Sequence, residues 1–298
     1  MKVLITGTSG FIGGHLFCTC PSRWDVWGTF FNTSLKPAPT RWLRLDLTNR
    51  LETIKTLESI RPALILHAAA YSRTAFCEKN PALARQLNED AVAHLAQFCL
   101  DRKTRLIFLS SDMVFDGTKG SYSENDPPHP VNVYGETKLA AERFVSDLGD
   151  LGAVVRLNLV YGKPKFGGDS FSEEVIRTVR SKRPYPLFTD QFRSFLSVRN
   201  LTQALWEIAE IGFSGIIHLS GSESTDRYSF ALALSRRVPL DKNLFIPIKT
   251  AERADLSVAF PLRSTFDISK ASAVLRTRLL NLEDGLALEY PGGRGKES

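Results

Sequence analysis

Glycines 7, 10 and 13 stand directly behind a short β-branched run, residues 2–6, and ahead of Phe11, Ile12 and Leu16, whose spacing suits a helix. A strand, a glycine turn and a helix in that order constrain the fold more than any other feature of this chain. Glycine lets the backbone turn sharply and come close to a diphosphate, whose charge is met by the amides that open the helix. The spacing G-x-x-G-x-x-G differs from G-x-G-x-x-G, but the physical demands are the same. Gly7, Ser9, Gly10, Phe11, Ile12 and Gly13 are therefore the expected phosphate cradle, and Pro21 ends the helix.

The chain then alternates. Strands are expected at 26–31, 42–45, 63–67, 105–109 and 154–157. Between them lie a helix with apolar residues at Leu51, Ile54, Leu57 and Ile60, a helix begun by Asn80-Pro81 and running to about residue 102, and a helix capped by Asn132. Such alternation implies parallel pairing and right-handed crossovers, hence an α/β fold with a doubly wound parallel sheet of the Rossmann type. Residues 1–162 and 198–220, the latter with a helix at 198–211 and a strand at 215–219, are read as the dinucleotide-binding domain. Residues 163–197 and 221–298 are read as a smaller, discontinuous substrate domain over the carboxyl ends of the strands, with a frayed tail at PGGRGKES.

Composition narrows the function. A formal charge of +6, from 38 basic and 32 acidic residues scattered without a basic block, suits anionic small molecules and gives no footprint for nucleic acid. The opening MKVLITGTSG is polar after five residues, so neither a secretion signal nor a membrane span is expected there. Cys18, Cys20, Cys77 and Cys99 form neither a C-x-x-C pair nor a metal set, and free thiols point to a cytoplasmic location. The oligomeric default is a homodimer.

Two features point to redox chemistry. Tyr134-x-x-x-Lys138 sets a phenol and an ammonium one helical turn apart, where the cation is expected to lower the phenol's pKa and ready it for proton transfer. Ser110-Ser111 follows a buried strand, so that a hydroxyl emerges at the sheet edge where ligands sit and can stabilise charge on a substrate oxygen. At the end of the second strand, where an acid would select NAD, stand Phe31-Asn32-Thr33-Ser34. Lys36 or Arg41 is then the candidate for a 2′-phosphate, a lean towards NADP over NAD.

The glycine loop, Asp46-Leu47, Ala68-Ala69-Ala70, Ser111 and Tyr134-x-x-x-Lys138 together resemble the extended short-chain dehydrogenase/reductases. Within them, the run 110–117 (SSDMVFDG), Tyr122-x-Glu124-x-Asp126-x-Pro128 and the run 132–139 (NVYGETKL) resemble the dTDP-4-dehydrorhamnose reductase group. The resemblance implies NAD(P)H-dependent reduction of a 4-keto sugar attached to a nucleoside diphosphate, with Ser111, Tyr134 and Lys138 catalytic and Tyr134 as general acid. It also implies that Lys138 holds the nicotinamide ribose and that Asp46, Leu47, Ala68 to Tyr71 and Asn88 line the dinucleotide, to which Asn32 is added by its place at the end of the second strand. Asp112, Val114 and Phe115 would face the substrate. Two other outcomes stay open: a sugar-nucleotide epimerase or dehydratase, and a dinucleotide-binding regulatory subunit like the β subunit of methionine adenosyltransferase.

Overall fold

The N-terminal strand β1 (Lys2–Thr6) is apolar along almost its whole length, and burial on both faces puts it at the centre of a parallel sheet. The computed structural model describes residues 1–32, 40–253 and 258–292. Beside β1 run β2 (Asp25–Phe30), β3 (Trp42–Arg44), β4 (Leu64–His67), β5 (Arg105–Ser111), β6 (Gly152–Leu157) and β7 (Gly215–Leu219). Their order across the sheet is β7-β6-β5-β4-β1-β2-β3, and all neighbours are parallel. Winding reverses between β1 and β4, and ligands of open α/β sheets bind in the crevice beyond such a reversal.

Side chains alternate along β1 to feed two cores. Val3 and Ile5 pack with Leu16 of α1 (Phe11–Cys18) and Leu201 and Leu205 of α5 (Val198–Ile211). Leu4 faces the opposite layer, with Leu57 of α2 (Arg50–Ile60), Leu95 of α3 (Ala91–Arg102) and Ala141 of α4 (Val133–Ser146). Each core closes one face of the sheet. A third cluster, around Val175, Leu187, Phe195 and Phe230, gathers the later part of the chain. Paired short strands shape it: Val160–Tyr161 with Leu196–Ser197, Tyr185–Phe188 with Phe245–Ile248, and Phe192–Arg193 with Thr225–Asp226.

One expectation gains a detail and one is corrected here. The helix foreseen from Pro81 to Arg102 keeps both ends but passes through a π turn at Gln86–Asp90 between Pro81–Arg85 and α3, which places Asn88 on the bulge. β5 runs two residues further than foreseen, so Ser110 and Ser111 belong to the strand and pair with Arg156 and Leu157 of β6. Among the described residues no helix is long and apolar enough to cross a membrane.

Candidate active site

The turn between β1 and α1 is built for close approach. Gly7 takes φ +69°, and a Cβ there would stand 2.8 Å from the Ala69 Cα. No side chain caps α1 at Gly10, so the amides of its first turn are left for an anion. A cavity of about 420 Å³ lies beside this turn, walled by Gly7, Ser9, Gly10, Asn32, Asp46, Leu47 and the Ala68, Ala69, Ala70, Tyr71 turn. A second, of about 520 Å³, is walled by Gly10, Phe11, Ile12, Gly13, Ser111, Asp112, Tyr134 and Lys138. Gly10, Ala68 and Ala70 belong to both walls, so the two spaces adjoin over the helix N-terminus. A mostly apolar space on each side of a phosphate cradle fits a dinucleotide.

Asn32 presents an uncharged amide at the end of β2. Arg41, one of the two cations foreseen for a 2′-phosphate, is instead paired with Asp25. The other, Lys36, lies outside the described residues. Asp46 accepts from the Thr48 amide at 2.9 Å and the Thr48 hydroxyl at 2.7 Å, which fixes its carboxylate in the wall.

In the second cavity the three foreseen groups converge. Asn132 caps α4 by accepting from the Gly135 amide at 2.9 Å, and the first turn of that helix carries Tyr134 to the end of β5. Ser111 lies beside the Tyr134 phenol. Its Oγ donates to Asp112 Oδ1 at 3.1 Å and accepts from the Met113 amide at 3.2 Å. Lys138 is buried, with Nζ 4.2 Å from the centre of the Phe108 ring.

Electrostatics correct one expectation. Burial pushes the Tyr134 phenol up from its ordinary value, and the Ser111 hydroxyl beside it opposes that shift without reversing it. Burial likewise holds the Lys138 amine down to about 7, against the pull of Glu142. The phenol is therefore protonated at neutral pH rather than acidified. A protonated phenol can give its proton to an oxygen that is gaining negative charge, which is the need of a reduction.

Three further residues are placed differently from the sequence reading. Val114 and Phe115 are fully buried with Tyr122 and Phe266 and do not reach the cavity wall, because the 3₁₀ turn Asp112–Val114 rolls them inward and leaves Met113 on the wall. Asn88 stands behind the wall of the first cavity. Its Oδ1 accepts from the Tyr71 amide at 2.8 Å, and its Nδ2 donates to the Tyr71 carbonyl at 3.0 Å and to Thr137 Oγ1 at 3.2 Å. It ties the Ala68 to Tyr71 turn to α4. Asp112 does stand on the wall, with Ser264 donating to Oδ2 and Arg193 Nε 3.1 Å from the same oxygen. Arg193, Asn158 and Phe171, also on this wall, were not singled out in the sequence.

Known proteins share this architecture over nearly the whole chain. The family described as RmlD substrate binding domain matches residues 1–289. The probable low-salt glycan biosynthesis reductase of Haloferax volcanii is 30% identical over 292 residues, 96% of each chain. The methionine adenosyltransferase 2 subunit beta of Xenopus laevis is 30% identical over 254 residues, 83% of this chain and 75% of that one. A crystal structure of dTDP-4-dehydrorhamnose reductase from Bacillus anthracis, in complex with NADP, superposes with a TM-score of 0.87 at 27% identity and covers 97% of this chain and 98% of that one.

Proposed function

Since the chain belongs to the RmlD substrate binding domain family, we propose that it is an NADPH-dependent reductase of a 4-keto sugar linked to a nucleoside diphosphate. The observation that carries this reading is the meeting of Ser111, Tyr134 and Lys138 in one cavity that adjoins the glycine turn. When bound, the reduced nicotinamide supplies the hydride. Gly7, Ser9, Gly10, Phe11, Ile12 and Gly13 hold the diphosphate, Asn32, Asp46, Leu47 and the Ala68 to Tyr71 turn hold the adenosine half, and Lys138 holds the nicotinamide ribose.

The chain's own groups do the rest. Ser111 gives its proton to Asp112 in a hydrogen bond, which fixes its hydroxyl beside the Tyr134 phenol. Tyr134 delivers its proton to the former carbonyl oxygen as charge builds there, and Lys138 in its cationic form offsets the phenolate left behind. Residues 163–197 supply the sugar-nucleotide side of the pocket, through Phe171 and Arg193.

Two carboxylates on the wall bear on the alternatives. Asp112 is engaged by Ser111, Ser264 and Arg193, and Asp169 by Arg177. Both are already engaged, which weighs against either as the extra acid or base of a dehydratase. A regulatory reading is favoured by one observation, the likeness to the methionine adenosyltransferase subunit. NADPH consumption against a panel of nucleotide-linked 4-keto sugars decides: turnover with any of them supports the reductase. No turnover, with a methionine adenosyltransferase catalytic subunit bound instead, overturns it.

A further inference from the structure

Glu142 lies one helical turn beyond Lys138 on α4, and both side chains are buried. Its carboxylate is held by two strands. Ser110 of β5 donates to Oε1, and Arg156 of β6 donates to Oε1 through Nε at 3.0 Å and to Oε2 through Nη2 at 2.7 Å. Ser110 precedes Ser111, so one carboxylate fastens the strand that carries the serine to the helix that carries Tyr134 and Lys138. Behind it, Arg156 Nη1 lies 3.4 Å from His218 Nε2, while His218 Nδ1 donates to the Tyr122 carbonyl at 3.0 Å. Burial holds that imidazole down to about 3, so His218 adds no charge.

A buried ion pair is a poor fastener, because an apolar pair of similar volume holds two elements as well without desolvating two charges. Its presence here asks for a second role. The groups that face Lys138 identify it: Glu142 on its own helix, Tyr134 one turn earlier, Cys77 from the helix Thr74–Lys79, and His67 at the end of β4. His67 is neutral, held down to about 3, and the Cys77 thiol and the Tyr134 phenol are pushed up by burial. Asp112, which lies further along through Ser111, has its charge met by Arg193. Among the described residues Glu142 is thus the one anion that faces Lys138.

We propose that Glu142 is a positioning residue that keeps Lys138 cationic beside the dinucleotide, with Arg156 as the counterweight that limits how far it does so. This rests on Lys138 as the group that holds the nicotinamide ribose.

The test is the pH dependence of NADPH binding by the full chain, read from nicotinamide fluorescence. Binding by the unaltered protein weakens as pH rises and Lys138 loses its proton. Glu142→Gln removes the anion and leaves Arg156 uncompensated, so that limb moves to lower pH by on the order of one unit. Arg156→Gln leaves the anion unbalanced, and the limb moves to higher pH. Both variants melt earlier, so opposite pH shifts separate an electrostatic role from a merely structural one. A limb that stays in place, moves the same way in both, or is absent from the unaltered protein overturns the proposal. Should Glu142→Gln fail to fold, the direction of the Arg156→Gln shift decides alone. The titration needs no keto sugar, so failure to reduce any sugar would overturn the reductase reading and leave this test standing.

Discussion

Gly135 lies so close to Met113 that a Cβ on it would stand 2.1 Å from the Met113 carbonyl oxygen. This contact lets α4 rest on the turn after β5, and it sets the spacing between Tyr134 and Ser111. Gly135→Ala has to push helix and turn apart. The expected cost is about 1–3 kcal/mol of stability, with a larger proportional loss of kcat than of NADPH affinity. Thermal melting together with NADPH titration checks it; unchanged turnover would show that the contact does not set the site.

Lys138 gives activity and stability opposite pH dependences. Its amine titrates at about 7 in the folded chain, well below the ordinary lysine value. Between those two values the unfolded chain binds the extra proton, so this group makes stability rise with pH across that window and withdraws the contribution as pH falls through about 7. Turnover runs the other way. kcat/KM for the reduction falls as pH rises through about 7, because the cation is lost. Lys138→Met should melt later than the unaltered protein below that pH while losing most activity, and equal melting of the two would contradict the buried cation.

Asn32 lines the first cavity near the end of β2, where an acid would bind the ribose hydroxyls of a dinucleotide. Asn32→Asp brings a negative charge towards a 2′-phosphate. NADPH affinity should fall on the order of tenfold or more, and NADH affinity should hold or improve. Equal loss for both cofactors would mean that this side chain does not read the 2′ position.

Asn88 acts through the turn it pins. Asn88→Ala leaves the Tyr71 amide and carbonyl without their side-chain partner, a cost of about 1–3 kcal/mol if both stay dry. Weaker dinucleotide binding is expected, with the pH profile unmoved, and titration calorimetry measures it. Unaltered affinity would show that the Ala68 to Tyr71 turn keeps its shape unaided.

The sheet was legible because buried strands and amphipathic helices carry a period. Lys2–Thr6, Val198–Ile211 and Gly215–Leu219 were foreseen to the residue, and the glycine turn with its strand and helix falls where foreseen. Two-residue strands such as Phe192–Arg193 and Thr225–Asp226 carry no period, so the pairing that shapes the third cluster stayed hidden. Within the site, residue type and spacing pointed to Ser111, Tyr134 and Lys138. Side-chain direction did not follow from spacing: Val114 and Phe115 turn inward on a 3₁₀ turn, and Asn88 sits behind the wall on a π bulge. The sign of the Tyr134 shift was out of reach for the same reason. A tyrosine and lysine four apart suggest attraction, but burial, which only the packed chain reveals, outweighs it.

Single-turnover reduction of a nucleotide-linked 4-keto sugar by Tyr134→Phe, set beside NADPH titration of the same variant, puts the proton donor itself to the test. The chemical step should slow by about a hundredfold to ten-thousandfold while the NADPH dissociation constant stays within about twofold. Reduction at the unaltered rate would show that the proton comes from another group.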